Sequence, residues 1–331
     1  MNIKSLLLGS AAALAVVSGA QAADAIVAAE PEPMEYVRVC DAFGTGYFYI
    51  PGTETCLKIG GYVRAQLNWE NVQNDVDGND FGLDARTRGR LEISAKNDSE
   101  VGTIGSFFAF QAWGEEDGVN SGFVLDEAYI TVGGFKVGYF YNYWDNGIAG
   151  ETDNLGSNLV NSIGYEYSSD AFTAGVFIDE LSASAAGEND GVGVEAQVSG
   201  TFGVATAALL GGYDFAREEG AVRLIVEAEV GPGTLGVAGI YSSGDNQYYD
   251  FSEWTVSASY AAKLTDKLKL TPGAEYHWDI AHVDGVDGWE AGLTLDYAIA
   301  EGLAFKTYAG YEDTDVTDGN WTGFVRLQRS F

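Results

Sequence analysis

Hydrophobic and polar side chains alternate along the chain over 58–331, in segments of roughly ten residues. Successive side chains of a β-strand point to opposite faces, so this period of two predicts strands with one apolar and one polar face. The first segment, 58–70, places Ile59 and Val63 on one face and Arg64 on the other. An all-β fold follows, in which nearly every strand separates an apolar phase from a wet one.

The connections between the predicted strands alternate between short and long. The short connections, of two to four residues, are 97–100, 133–134, 169–170, 200–203, 231–233, 264–267 and 300–302. The long connections, of seven to nineteen residues, are 71–83, 114–121, 143–161, 180–190, 214–220, 243–252, 280–288 and 312–320. These fifteen connections predict sixteen antiparallel strands, with all short turns at one end. This asymmetry is typical of bacterial outer-membrane β-barrels, in which short turns are periplasmic and long loops extracellular. A barrel of this size encloses a water-filled channel.

Three arginines occupy alternate positions of the second predicted strand, and they share one face with a glutamate. They are Arg86, Arg88 and Arg90, followed by Glu92. Facing lipid, each arginine would cost up to ~2–4 kcal/mol at the bilayer midplane, so we expect them to face the lumen. Arg64 on the neighbouring strand would extend them into a basic wall. The arginines could serve the pore, or they could merely pair with lumenal carboxylates, and the two roles are compatible.

The third long connection, 143–161, is the longest and mixes apolar with acidic residues. Its apolar residues are Trp144, Ile148, Leu155 and Leu159, and its acids are Asp145, Glu151 and Asp153. An external loop would not need this apolar content, so we expect the segment to fold into the lumen and narrow it. Its acids would then face the arginines across the gap. The alternative is a partly ordered external loop.

Two cysteines, Cys40 and Cys56, flank a short segment before the first full strand. In an exported protein two nearby cysteines are more often bridged than free, so a disulfide is expected. Strand one must pair with strand sixteen to close the barrel, which places the segment 36–57 at the periplasmic mouth.

The two histidines, His277 and His282, are expected to be ordinary polar residues. We expect no metal, no cofactor and no enzymatic activity, since no nucleophile–base–acid set is present.

The amino terminus has the features of an export signal. A lysine, a twelve-residue apolar run and a small-x-small site predict a signal peptide over 1–22, cleaved before Ala23. The apolar run is too short to span a bilayer as a helix. Residues 23–35 are expected to form a flexible acidic linker, because Pro31 and Pro33 oppose regular structure.

The chain carries a formal net charge of −32, and its mean hydropathy is −0.04. Such a charge excludes nucleic acid as a partner. Many of the acidic residues lie in predicted loops. Two roles are open for them: they could simply solvate the surface, or they could bind divalent cations that bridge lipopolysaccharide. Asp75, Asp77 and Asp80 lack the helix–loop–helix context and the distal Glu of a calcium loop.

The segment 37–64 reads VRVCDAFGTGYFYIPGTETCLKIGGYVR. It resembles very closely the amino-terminal signature of the porins of rhizobial-type alphaproteobacteria, in its paired cysteines, its GYFYIPGTETCLKI core and the GGYVR that follows. The likeness continues more loosely to the terminal Arg-Ser-Phe. The resemblance implies a homotrimeric, sixteen-stranded diffusion channel in the outer membrane of a Gram-negative bacterium, with the third long loop folded inward.

Together, these features predict passive diffusion of small hydrophilic solutes and ions, with a weak preference for cations because acids dominate. Two alternatives stay open. An adhesion or envelope-anchoring barrel would need longer external loops and a plugged lumen. A substrate-specific channel would need an aromatic track along the lumen, which the sequence does not reveal.

Overall fold

A computed structural model describes residues 38–71, 82–115, 122–181 and 191–331. The predicted signal peptide and acidic linker lie outside the described residues, as does the acidic segment with Asp75, Asp77 and Asp80. Most of the second and fourth predicted loops also lies outside them. Within the described ranges, no helix has the length and apolar character needed to cross a membrane.

The described chain consists almost entirely of β-strands, with three-residue 3-10 turns at Asp41–Phe43 and Tyr143–Asp145. In chain order the strands are β1 (Phe48–Tyr49), β2 (Cys56–Glu70), β3 (Gly82–Ser99), β4 (Gly102–Glu115), β5 (Val124–Val132), β6 (Phe135–Tyr141), β7 (Leu159–Ser168), β8 (Phe172–Leu181), β9 (Gly191–Phe202), β10 (Ala205–Asp214), β11 (Glu219–Val230), β12 (Gly233–Ser242), β13 (Ser252–Lys263), β14 (Leu268–Ile280), β15 (Gly288–Ala300), β16 (Leu303–Thr314) and β17 (Thr317–Ser330).

Strands β2 to β17 form a closed antiparallel barrel. Each pairs with its neighbour in sequence, and β17 pairs with β2 in the register Gln328↔Arg64 and Arg326↔Gln66. The predicted sixteen-stranded antiparallel barrel is therefore confirmed. Closure leaves no free strand edge, which is what allows a sheet to reside in lipid.

The two faces of the barrel follow the period-two pattern. The outward face of β2 exposes Ile59, Val63 and Leu67, which are 49%, 53% and 36% accessible. The inward face carries polar side chains, and on the neighbouring strand Arg88 lies directly opposite Arg64. Both arginines are half-buried. The lipid-facing and lumen-facing sets are those that the alternation predicts.

The connections are short at one end, as predicted, and at the other end two of them are shorter than expected. The prediction of a nine-residue loop over 312–320 is wrong, because β16 and β17 continue to Thr314 and Thr317 and leave only 315–316. The Thr314 hydroxyl accepts from the Thr317 N–H at 3.0 Å and closes this hairpin. Likewise, the predicted loop 214–220 shrinks to 215–218. Strands project beyond the apolar layer there, so their polar ends resemble loop in sequence.

The predicted Cys40–Cys56 disulfide is present, with the two Cα atoms 6.0 Å apart. It closes a hairpin in which β1 pairs with the start of β2, in the register Tyr49↔Cys56. Cys56 lies opposite Lys96, near the short β3–β4 turn, so the hairpin is at the short-turn end. The Tyr47 hydroxyl is 2.7 Å from the Ser94 hydroxyl, which belongs to the inward face. The hairpin thus lies against the lumenal wall.

We predict that Cys40→Ser combined with Cys56→Ser yields a barrel that folds and conducts but melts at a lower temperature. A bridge with sequence separation 16 stabilises by restricting the unfolded chain, by ~3 kcal/mol. The closed ladder of β2–β17 persists without it. Thermal unfolding, together with hydrogen exchange over 38–57, measures the effect. An unchanged melting temperature, or two free thiols in the non-reduced wild type, would contradict the prediction.

Candidate functional site

The third loop, 142–158, packs its apolar side chains against the inner face of the barrel. Trp144 is fully buried, and Leu155 is 2% exposed. Both belong to a cluster with inward-facing strand residues of β10, β11 and β12, which are Leu210, Ala221, Ile225, Ala238 and Ile240. These alternate with outward residues such as Val222 and Val237. The loop therefore lies inside the barrel, along the wall formed by these three strands.

A buried arginine joins the two ends of the third loop. Arg223 of β11 is 1% exposed. Its Nη1 donates to the carbonyl oxygens of Trp144 at 2.8 Å and Leu155 at 2.6 Å, and its Nη2 donates to that of Tyr143 at 2.7 Å. The guanidinium carbon also lies 5.0 Å from the centre of the Trp144 ring. Because these carbonyls lack strand partners, one side chain satisfies three backbone acceptors and fixes the loop.

The far side of the third loop reaches strands β14 to β17. The backbone N–H of Asn154 donates to Glu275 at 3.0 Å. Glu151 accepts from the Lys306 ammonium at 2.6 Å and lies 3.7 Å from the Arg326 guanidinium. The loop thus extends from β6 along the inner wall to β17, and it narrows the lumen.

A second loop also folds inward, and sequence reasoning missed it. In the segment 243–251, Tyr248 and Tyr249 are 1% and 3% exposed. The Tyr248 hydroxyl donates to Asp179 at 2.7 Å, and the Tyr249 hydroxyl donates to the carbonyl of Asn154 at 3.1 Å. Both rings lie within 6.4 Å of the Trp144 ring, centre to centre. The signal was the three aromatic residues Tyr248, Tyr249 and Phe251 within a loop of small and polar residues.

The four predicted arginines share the inner face, but they differ in their partners. Arg86 pairs with Asp84, and Arg90 pairs with Asp126, Glu127 and Glu92. Arg64 donates its Nε–H to Gln328 at 2.8 Å, whereas Arg88 donates to the Tyr62 hydroxyl at 3.4 Å. The pairing with lumenal carboxylates, weighed above as an alternative, thus occurs at Arg86 and Arg90.

Two further cations, which sequence reasoning missed, continue this wall. Arg326 of β17 is opposite Gln66, and Lys306 of β16 is opposite Arg326. Lys306 also pairs with Asp296 at 3.4 Å. Lys306 is the only cation of β16, and Arg326 shares β17 with Arg329, which is on the opposite face. Only the alternation with apolar neighbours such as Val325 indicates that Arg326 faces inward. We call Arg64, Arg86, Arg88, Arg90, Arg326 and Lys306 the basic wall.

The three predicted acids of the third loop do not form one row opposite the basic wall. Asp145 is exposed and accepts from the Ser157 hydroxyl at 2.6 Å. Glu151 pairs with the basic wall itself, because the loop is long enough to reach it. Asp153 turns back into the loop and accepts from the Ile148 N–H at 2.9 Å. Burial raises the pKa of Asp153 to about 7, and the carboxylates of Glu275 and Glu151 add to this rise.

Two cavities adjoin the narrowed region. One, of about 510 Å³, touches Glu70 and Gly82 at the long-loop end and also Arg86 and Glu151. The other, of about 750 Å³, extends from Arg64 and Arg326 to the short turn between β13 and β14. Glu151 and Arg86 line the first cavity, whereas Arg64, Lys306 and Arg326 line the second. The ion pair of Glu151 with Lys306 therefore joins the linings of the two cavities.

The imidazole of His277 is buried among polar side chains. His277 contacts the Thr255 hydroxyl at 2.8 Å through Nδ1 and Glu275 at 3.0 Å through Nε2. Among the residues that the structure describes, no three His, Cys, Asp or Glu side chains are grouped to hold a metal ion.

A closed barrel with an apolar outer face and a charged, loop-narrowed lumen defines a membrane channel. The family described as "Porin subfamily" matches residues 24–326, and the chain belongs to it. Outer membrane protein IIIA of Rhizobium leguminosarum bv. viciae is 45% identical over 347 residues, which cover 98% of this chain and 93% of that protein. Porin Omp2b of Brucella neotomae is 34% identical over 371 residues and is covered completely, as is this chain. The protein is thus a channel of the Gram-negative outer membrane.

Solved structures share the fold at low sequence identity. The outer membrane channel DcaP of Acinetobacter baumannii has a TM-score of 0.68 and 14% identity, and the match covers 86% of this chain and 99% of that one. The trimer form of OmpT of Vibrio cholerae has a TM-score of 0.61 and 13% identity, with coverage of 84% and 100%.

We predict that Arg223→Met releases the third loop while the barrel stays folded. The change leaves the carbonyls of Trp144 and Leu155 without the Arg223 donor, and each unmet group costs about 1–3 kcal/mol, whereas the Tyr143 carbonyl still accepts from the Asn146 N–H. Amide protection of residues 143–157 in hydrogen exchange should fall about a hundredfold, which corresponds to ~3 kcal/mol. Arg329→Met is a matched control, since Arg329 also donates to a backbone carbonyl, that of Glu301, but at the exposed rim. Equal protection in the two variants would contradict this role.

We predict that the third loop is held less firmly above pH 7 than at pH 5. Asp153 has a folded pKa of about 7, above the ordinary value of 3.8. Between pH 3.8 and about pH 7 the folded state binds more protons than the unfolded state. The contribution of Asp153 to stability therefore falls as pH rises through this range, and it is constant above it. Glu275 and Glu151 oppose the new charge, whereas the Ile148 N–H favours it.

Fluctuation of single-channel current, recorded from pH 5 to pH 8, measures this effect. Asp153→Asn retains an oxygen that can accept from the Ile148 N–H, and it should remove the pH dependence. Asp145→Asn alters an exposed acid and should leave it in place. A wild-type response that survives Asp153→Asn unchanged would assign the effect elsewhere.

Proposed function

We propose that the protein is a general diffusion channel for small hydrophilic solutes and ions, with a weak preference for cations. The observation that carries this proposal is the narrow region between the two cavities, where Glu151 meets Lys306 and Arg326. Polar and charged side chains line both cavities, one of which reaches the long-loop end of the barrel and the other the short-turn end. A water-filled lumen of this kind admits hydrated solutes and excludes apolar ones, which cannot replace lost hydration.

The charges of the narrow region create a local transverse field. The basic wall supplies the positive side, and the third loop supplies Asp145 as an exposed negative group. Opposite charges ~10 Å apart at an effective dielectric of ~20 interact by ~1.7 kcal/mol. This energy is enough to orient dipolar solutes without trapping them. Glu151 partly neutralises the wall, so the field is weaker than a fully separated arrangement would give.

Selectivity follows from the whole charge distribution. The net charge of −32 favours cations at the mouths, because clefts lined by one sign of charge concentrate the opposite sign. The basic wall opposes this preference at the narrowest point, so we expect the net preference to be weak. We further propose a homotrimer in a lipopolysaccharide-containing membrane, as the trimer form of the related fold in OmpT suggests. On this orientation the disulfide hairpin lies at the periplasmic end.

Reversal potentials across a planar bilayer in a salt gradient test the proposal. We predict steady conductance with a small cation preference, because acids outnumber basic residues at the mouths. Arg88→Ala should raise the conductance and shift the reversal potential further toward cations, since it removes a lumenal positive charge. A deletion within 143–161 should raise both the conductance and the largest solute that passes in a liposome swelling assay.

Several outcomes would contradict the proposal. A strong anion preference would reverse the assignment of selectivity. A well-folded protein without conductance would favour the adhesion or anchoring alternative. Unchanged conductance and size limit after both changes would mean that neither Arg88 nor the third loop narrows the pore.

A further inference from the structure

Two arginines of the basic wall lack an acidic partner in the described parts of the chain. Arg86, Arg90, Arg326 and Lys306 each lie within 4.0 Å of a carboxylate oxygen. The partners found for Arg64 and Arg88 are neutral, a glutamine amide oxygen and a tyrosine hydroxyl. These two guanidinium groups are therefore the members of the wall for which no carboxylate is found within 4.0 Å among the described residues.

Arg64 and Arg88 are also direct cross-strand partners. The Cβ atoms of such a pair lie about 4.5–5.5 Å apart, and like charges placed opposite each other are destabilising. Both side chains are half-buried, so water screens the repulsion only in part. The arrangement is unfavourable without a counter-charge, and an anion between the guanidinium groups would remove the penalty.

Aromatic rings hold both guanidinium groups in place. The Arg64 guanidinium carbon lies 4.8 Å from the Tyr62 ring centre, and that of Arg88 lies 5.0 Å from the Trp113 ring centre. Stacking on a ring fixes the guanidinium plane and leaves its N–H edge available for a planar oxyanion. Arg64 uses its Nε–H for Gln328, and no acceptor for its terminal nitrogens is found among the described residues.

Arg64 is placed where a permeating solute can reach it, and Arg88 is its cross-strand partner. Arg64 lines the cavity of about 750 Å³ together with Arg326 and Lys306. A solute that crosses the narrow region beside Glu151 therefore passes within reach of these side chains. Glu151 and the acids around Arg90 form their ion pairs with other cations. Glu151 attracts Arg64 from beyond ion-pair distance and so offsets its charge only in part.

We propose that Arg64 and Arg88 form a binding site for a solute oxyanion, a carboxylate or a phosphate, at the constriction. The proposal rests on the diffusion function above and specifies which permeating solutes pause in the pore. Guanidinium groups bind both oxyanions through paired, charge-assisted N–H···O bonds. Small organic acids and phosphate would thus enter against the cation preference of the mouths and be retained briefly at the pair.

Block of the current in potassium chloride tests the site in single-channel recordings. Succinate and inorganic phosphate are added separately, at millimolar concentration, to one side of the bilayer. The wild type should show concentration-dependent block by at least one of them. Arg64→Gln and Arg88→Gln should each weaken that block about tenfold, since charge-assisted hydrogen bonds are lost. Arg88→Lys keeps the charge without the planar fork and should give an intermediate effect.

Lys136→Gln is the matched control. Lys136 is another lumenal cation, but it lies over the Tyr129 and Phe140 rings, outside the basic wall. Its removal lowers the lumenal charge by the same amount and should leave the block unchanged. Block by succinate alone assigns the site to carboxylates, and block by phosphate alone assigns it to phosphate.

Absence of block by both anions in the wild type would overturn the proposal. So would equal weakening by Arg88→Gln and Lys136→Gln, which would indicate a general effect of charge. The diffusion function is judged separately, from the conductance and reversal potential in chloride before either anion is added. A channel that conducts chloride salts normally but shows no block would refute only the anion site.

Discussion

The hydrogen-bonded closure of β17 onto β2 is the constraint on which the rest of the structure depends. Lipid offers no partner to a backbone N–H or C=O, so a sheet in a membrane must satisfy all such groups internally. The register of Arg326 with Gln66 and of Gln328 with Arg64 completes the ladder. Closure divides every strand into a lipid face and a lumenal face. The position of each charged side chain follows from that division.

Once the barrel is closed, its lumen is wide enough for loops to enter. A loop inside the barrel brings backbone N–H and C=O groups without strand partners, and these polar groups must find hydrogen bonds there. Arg223 meets this requirement for the third loop, and Asn154 meets Glu275 at the other side. The inward loop 243–251 adds two buried tyrosines whose hydroxyls are paired. The narrowing thus depends on satisfied polar groups as much as on apolar packing.

The fold could be predicted from sequence because its signal is repeated in every strand. The inward direction of Arg88 follows from alternation, and the disulfide follows from two cysteines in an exported chain. Strand ends were less certain, since polar residues such as Asp313 occur both in loops and in strands that project beyond lipid. The interaction partners of the lumenal side chains were harder to predict than the strand ends. The salt bridge of Glu151 with Lys306 joins residues 155 positions apart, and no local pattern indicates it. The buried position of Tyr248 is likewise a property of the assembled lumen.

The long sequence separations of these lumenal contacts have a consequence for the order of folding. Arg223 lies 68 to 80 positions from the carbonyls that it binds, and Lys306 and Arg326 belong to the last two strands. Contacts between distant residues form late, because the entropy of closing the intervening chain must be met first. Strand hairpins, whose partners are adjacent in sequence, form without this delay. The third loop is therefore fixed to Arg223 only after the neighbouring hairpins have formed, and its contacts with Lys306 and Arg326 wait for the last two strands.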